Sequence, residues 1–334
     1  MRCTVKKSLL SVADTIKKIS EGRPLLLAGD EEALKQLPRG AWIAGTIPYF
    51  MTESGGSSSR DQVFVTELPD DVAGATLHVY DESSIRRIYD DMPENGFTVV
   101  ILPALTPIHG SFATDAPTYH RFATRPLVGW ISGVHLTDLG KVTPKVFANG
   151  QVYTDKAVAL HVALPAGKAA EVGIVNIFSQ SDRDTITFPT TSFKVTDAYV
   201  NGEKRNFAEY VKAKGLDSKL PLVADYYGSS INVSFQSVDA DKGEVSFYAP
   251  VFSDVVYKHA AGVTDYVSEF TTNMPEHAQG IAFACNCILN YLYSDLEGKQ
   301  TGGITGPITF GEIAYQLLNQ TLVYVTIVDI PSAA

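Results

Sequence analysis

Two short stretches of this chain repeat one another. Gly45-Thr-Ile-Pro-Tyr49 is echoed by Gly306-Pro-Ile-Thr-Phe310, near the other end. Eighteen residues after Gly45 comes Val63-Phe-Val-Thr66, and seventeen after Gly306 comes Val323-Tyr-Val-Thr326. Each half thus reads as strand, short helix, strand ending near a glycine, a turn, and a β-branched return strand. Agreement in both order and spacing predicts duplication of one α/β unit. The two units are expected to share one continuous sheet system, with their Gly-containing strand ends facing a common cleft.

The flanking residues follow the same logic. Leu25-Leu-Leu-Ala28 reads as a buried strand, Asp30 as the N-cap of a short helix over 31–37, and Ala41-Trp-Ile-Ala-Gly45 as the next strand. Strand, helix and strand recur in 76–80, 83–90 and 97–102, and again in 280–284, 288–293 and 305–310, with a last strand at 322–328. At the start, Leu9, Val12, Ile16 and Ile19 form a helical stripe over 8–20. The middle is β-rich, with hairpin signals at Asn149-Gly150 and Asn201-Gly202, strands at 158–164 and 172–178, and further strands at 231–235 and 244–248. Helices are expected at 206–214 and near 264–273. The fold class is therefore α/β, with mixed sheets, flanking helices and two related halves around a β-rich middle. The expected organisation is an N-terminal helix over 1–21 and two regions over 22–190 and 191–334.

Composition narrows function by exclusion. At 334 residues and 45% hydrophobic, the chain can bury a large core. Its 27 basic and 37 acidic residues leave a net charge of −10, and no Lys/Arg cluster offers a footprint for nucleic acid or anionic lipid. No apolar run approaches the ~18 residues of a membrane span. Met1-Arg-Cys-Thr-Val-Lys-Lys7 is basic, but no apolar signal-peptide core follows it. Cys3, Cys285 and Cys287 are too few for a disulfide framework and suit a reducing compartment. The expectation is a cytoplasmic protein that engages neither membrane nor nucleic acid.

The C-terminal stretch Ile281-Ala-Phe-Ala-Cys-Asn-Cys287, the turn Gly306-Pro-Ile-Thr-Phe-Gly-Glu-Ile313 and Leu318-Asn-Gln-Thr-Leu322 resemble the C-terminal region of FIST domains. Ile43-Ala-Gly-Thr46 and Lys156–Leu164 resemble strands of the N-terminal region of that family. Val195-Thr-Asp-Ala-Tyr-Val-Asn-Gly202 with Phe207-Ala-Glu-Tyr210 resembles the start of its C-terminal part. The resemblance implies a bacterial sensory module that binds a small ligand such as an amino acid, and some members are linked to haem. Ile288 stands after Cys287, where many members carry an Arg shortly after their Cys. No kinase, methyl-acceptor or cyclase segment is expected here, which implies a stand-alone sensor signalling through a protein partner.

Candidate ligand-binding residues are those at the strand ends: Gly45, Thr46, Tyr49, Cys285, Asn286, Gly306, Gly311 and Glu312. Backbone N–H groups at such ends converge on ligands, and Glu312 suits a ligand ammonium. The bland alternative is a turn whose glycines supply conformational freedom and whose Glu is solvated. Cys285 and Cys287 would share one strand face, and lone Cys-x-Cys is a weak metal signal. The rival reading is a thiol- or carboxylate-dependent enzyme acting on a small metabolite, with His277 and Glu312 as the bases that could serve a thiol. Glu53-Ser-Gly-Gly-Ser-Ser-Ser-Arg60 reads as a flexible hairpin loop, and Trp130 beside Arg125 as a structural indole. No cofactor is required; if haem binds, His109 and His120 are the first candidates. No metal ligands or catalytic residues are assigned.

Overall fold

Ser11 decides where the first helix begins. Its hydroxyl accepts the Asp14 N–H at 3.1 Å, so the stripe read over 8–20 divides in two. In the computed structural model, which describes residues 6–70, 72–226, 229–274 and 280–330, Lys7–Ser11 is strand β1 and Val12–Ser20 is helix α1. Cys3 and His277 lie outside the described residues. Next come β2 (Leu25–Gly29), α2 (Glu31–Leu34, capped by Asp30) and β3 (Trp42–Thr46). A hairpin of β4 (Tyr49–Thr52) and β5 (Gly55–Ser58) follows, then β6 (Gln62–Glu67). The segment expected to be a flexible loop therefore contains a paired strand, because Ser57 and Ser58 pair with Phe50 and Tyr49.

The same sequence of elements occurs three times. The second unit runs β7 (Gly74–Tyr80), β8 (Gly96–Pro103), α3 (Pro107–Asp115), β9 (Leu127–Ser132), hairpin β10 (Val146–Ala148) and β11 (Gln151–Tyr153), and β12 (Ala157–Ala163). The helix expected at 83–90 is reduced to a single 3₁₀ turn at Ile85–Arg87. The third unit opens with β13 (Lys168–Val175) and is then interrupted by residues 176–265, which contain helix α4 (Phe207–Lys214). It resumes with α5 (Tyr266–Thr272), β14 (Ile281–Cys287), α6 (Ile288–Tyr293), β15 (Gly306–Thr309), hairpin β16 (Glu312–Ala314) and β17 (Gln316–Leu318), and β18 (Leu322–Asp329).

Three six-stranded sheets result, with one strand order. They are β1-β6-β2-β3-β10-β11, β7-β12-β8-β9-β16-β17 and β13-β18-β14-β15-β4-β5. In each, the second and third strands of the unit are parallel and the last strand returns antiparallel beside the second. The outer hairpin always comes from another unit: the second unit gives its hairpin to the first, the third to the second, and the first to the third. The ring of exchanged hairpins ties the units together. The two segments that echo one another in sequence belong to the first and third units.

Alternation along the strands sorts side chains between two kinds of core. On β2, Leu26 and Ala28 enter a central cluster shared by all three sheets, while Leu25 and Leu27 pack with Ile19 of α1 and Leu34 of α2. Ile108 and Phe112 of α3 cover the second sheet, and Phe270 of α5 the third. At the centre, Trp130 stacks on Phe283 at 5.5 Å. The fold is mixed α/β with helices flanking the sheets. Among the described residues, no helix is long and apolar enough to cross a membrane.

The interruption in the third unit builds a separate β-module of a six-stranded and a three-stranded sheet around Phe188, Phe207, Phe247 and Tyr257. The expected boundary between 190 and 191 falls inside this module, between strands Ile186–Thr187 and Ser192–Val195. Both hairpin signals hold, with Asn149-Gly150 and Asn201-Gly202 at φ +49/+75° and +50/+84°.

Candidate functional site

Helix α3 begins just beyond the C-terminal end of β8, where ligands commonly meet α/β sheets. Thr106 caps it, its hydroxyl accepting the His109 N–H at 3.4 Å, and Pro107 supplies the first helical position. Leu105, just before the cap, takes φ +60°, which a branched side chain adopts only at a cost. In that conformation its N–H reaches His109 Nδ1 at 3.3 Å. His109 is 9% exposed, and its Nε2 has no hydrogen-bond partner among the described residues. Burial lowers the imidazole pKa to about 4, so the ring is neutral at physiological pH.

His109 lines a cavity of about 380 Å³. The second unit contributes Ala104, Thr106 and Gly110 beside it, with Leu136 and Leu139 from the loop after β9. The third unit contributes Ile288, Leu289 and Leu292 of α6 and Phe310 after β15, and the inserted module contributes Phe193, Gln236, Phe247 and Tyr248. Leu105, Leu139 and Leu292, all part of this lining, are 79%, 48% and 40% exposed. These exposed leucines are clustered at one cavity rather than scattered singly over the surface. A smaller cavity of about 150 Å³ carries Asp30, Thr46, Arg60, His135 and Asp138 among apolar neighbours such as Ile47 and Val134. Its charges are already engaged: Arg60 lies 2.8 Å from Asp138 and 3.8 Å from Asp30.

Of the eight residues read from sequence, only Thr46 lines one of these cavities, and its hydroxyl is tied to the backbone of Lys145. Gly45 and Gly306 are close-packing positions, where a Cβ would sit 2.8 Å from Trp130 Nε1 and 2.2 Å from the Ala284 carbonyl. The Gly311 carbonyl accepts the Ile131 N–H at 2.9 Å. Tyr49 acts at one remove: its hydroxyl accepts the Leu136 N–H at 3.1 Å and its ring stacks on His135, holding the loop that lines the larger cavity. His120 is exposed against Asp90, so of the two histidines named for haem only His109 lines a cavity.

Cys285, Asn286 and Glu312 lie in the interior. The Cys285 thiol donates to the Gly129 carbonyl at 3.3 Å, and Asn286 Oδ1 accepts from the Cys287 N–H and Asn290 Nδ2 at 2.8 and 2.9 Å. Thr321 donates both its N–H and its hydroxyl to Glu312 Oε2, at 3.1 and 2.8 Å. Burial nonetheless pushes the Glu312 pKa up to about 8. Burial and the neighbouring Glu312 also push both thiols well above their usual range, so they stay protonated. The cavity itself left little signal in the sequence. Its lining is mostly leucine and phenylalanine from six separate stretches of the chain, and His109, Ile288 and Phe310, the members that stand out in the sequence, do so for other reasons.

The fold and site define a triplicated α/β protein whose inserted β-module closes an apolar cavity over the ends of two units. The chain belongs to DUF6976, a family of unknown function, which it matches over residues 10–328. No curated protein matches the sequence. The family match corrects the FIST resemblance: what spans the chain is DUF6976, and the turn and strand motifs quoted above are parts of its repeated unit. Gly, Thr and β-branched residues recur wherever such a strand, turn and return strand are built, which is how the likeness arises.

Proposed function

We propose that this protein binds a small, largely apolar molecule in the 380 Å³ cavity between its second and third units and the inserted module. The observation that carries the reading is His109, a buried polar side chain with an unpartnered Nε2 in a largely apolar lining. Exposed leucines around it add a surface that water solvates poorly. The cavity draws its walls from both the repeat core and the module, so occupancy favours the arrangement in which the two are closed together. A protein partner that distinguishes that arrangement would read the signal. The cytoplasm suits such a chain, since its two described cysteines are free thiols and its net charge of −10 offers nothing to nucleic acid.

Gly110 provides the test. It lines the cavity, and a Cβ built on it meets no atom within 4 Å, so larger residues project into open space. A neutral naphthyl ketone dye should gain fluorescence and shift to the blue on binding the wild type. Gly110→Phe should abolish that change while leaving the circular dichroism spectrum intact. Equal dye binding by both proteins would remove the cavity from consideration.

A further inference from the structure

The cavity's polar side chains do not all remain free to meet a ligand. Thr106 is committed, its hydroxyl donating to the Pro103 carbonyl at 2.7 Å and accepting from His109 N–H. Gln236 is exposed at the module's edge. Tyr248 is only partly buried. His109 is the buried one with an unpartnered nitrogen. Its Nδ1 already accepts the Leu105 N–H, so that nitrogen must hold a lone pair and the ring proton belongs on Nε2. The ring is thereby fixed as a donor, and adding a second proton would set N–H against N–H. Among the described residues, no Lys, Arg, Asp or Glu lines this cavity.

Resting on the cavity reading above, we infer that the ligand is an uncharged apolar molecule with one carbonyl-type acceptor, such as a ketone, ester or lactone, placed against His109 Nε2. A carboxylate would enter a wall of leucine and phenylalanine without a counter-charge, at a desolvation cost that one neutral donor does not offset. A pure hydrocarbon would fill the space but leave the buried N–H unpaired, which forfeits the bond and keeps its desolvation penalty. A neutral acceptor satisfies both demands. The volume is of the right order: at roughly 30 Å³ per water, the space corresponds to about a dozen waters.

Calorimetry with three ligands of one skeleton tests this: a naphthyl ketone, the same molecule with CH₂ in place of C=O, and the corresponding naphthoic acid. Wild type should bind the ketone roughly 3- to 10-fold more tightly than the CH₂ analogue, the yield of one net hydrogen bond, with the acid weakest. His109→Phe should bind the CH₂ analogue undiminished and lose the preference for the ketone, which also shows that the variant folds. His109→Gln, which restores a donor, should recover part of the preference. Equal binding of ketone and CH₂ analogue by wild type, or tightest binding of the acid, overturns the inference and leaves the cavity standing. Binding of none of the three overturns the cavity reading and this inference with it.

Discussion

Gly45 and Trp130 occupy the same register position in two of the three units, and the indole of one fills the space that the other leaves. Each pairs with the first residue of the hairpin donated to its strand, Val146 for Gly45 and Glu312 for Trp130. A Cβ on Gly45 would come within 2.6 Å of Ile101 Cγ2 and 2.8 Å of Trp130 Nε1. Near the centre the three units compete for one volume, so symmetry of backbone demands asymmetry of side chains.

Gly45→Ala should therefore destabilise the protein although alanine is a better strand residue than glycine. Overpacking of this kind costs about 1–3 kcal/mol, because the indole is held in turn by Phe283. Chemical denaturation should show a lower midpoint with an unchanged slope. An unchanged midpoint would mean that the centre has room the structure does not show.

That asymmetry also explains what the sequence disclosed and what it hid. The first and third units echo one another because their third strands both need a glycine at a close approach, Gly45 beside Trp130 and Gly306 beside the Ala284 carbonyl. The two glycines are not equivalent in the fold: Gly306 pairs with Met51, the third residue of its donated hairpin, two residues before the position that Gly45 and Trp130 share. The echo is thus offset by two residues, and the second unit, with Trp130 in place of Gly45, shows none, so the triplication reads as duplication. Local chemistry was legible: Asp30, Asn206 and the two Asn-Gly turns act as their residue types predict. The exchange of hairpins was not, since pairing between Pro307 and Phe50 has no local signature. Nor was the cavity, because leucines at 105, 136, 139 and 292 look alike until the chain brings them together.

Glu312 sets a pH dependence whose sign can be worked out. Its carboxyl titrates at about 8 in the folded chain against a reference of 4.5. The proton is retained on folding, so its contribution is intact below about pH 4.5 and is lost progressively as pH rises to 8. At 1.36 kcal/mol per unit, the loss across that window is on the order of 5 kcal/mol. Glu312→Gln, which keeps an acceptor for Thr321, should erase it. Plotting the stability difference between wild type and variant against pH isolates this one group, and a flat line would show that the carboxyl is not held neutral.

Gly110 lies inside α3, where glycine costs backbone entropy and fills no space. Gly110→Ala should raise stability by about 0.5–1 kcal/mol, visible as an upward shift of the thermal midpoint. Its methyl group extends toward open volume. Dye affinity should fall only slightly, in contrast to the block expected from phenylalanine. A lower midpoint would show that the methyl meets a neighbour after all.

The inserted module is fastened to the repeats through Gln320. This residue is 2% exposed and holds φ +52°, outside the region most side chains favour. Its carboxamide oxygen accepts the Ser234 hydroxyl at 2.7 Å, and its nitrogen donates to the Lys219 carbonyl at 3.0 Å, both groups belonging to the module. Asn232 adds a bond to the Asn319 carbonyl at 3.1 Å. Gln320→Ala removes two hydrogen bonds, one of them buried, and strands the Ser234 hydroxyl, at a cost of about 1–3 kcal/mol. Because the module supplies Phe193, Phe247 and Tyr248 to the cavity, loosening it should also weaken the dye. Hydrogen exchange should quicken along strand Ser229–Val233 and Phe235–Asp239 while the three repeat sheets keep their protection. Uniform acceleration across the repeats instead would mean that module and core unfold as one unit, and ligand occupancy could not then act by closing one against the other.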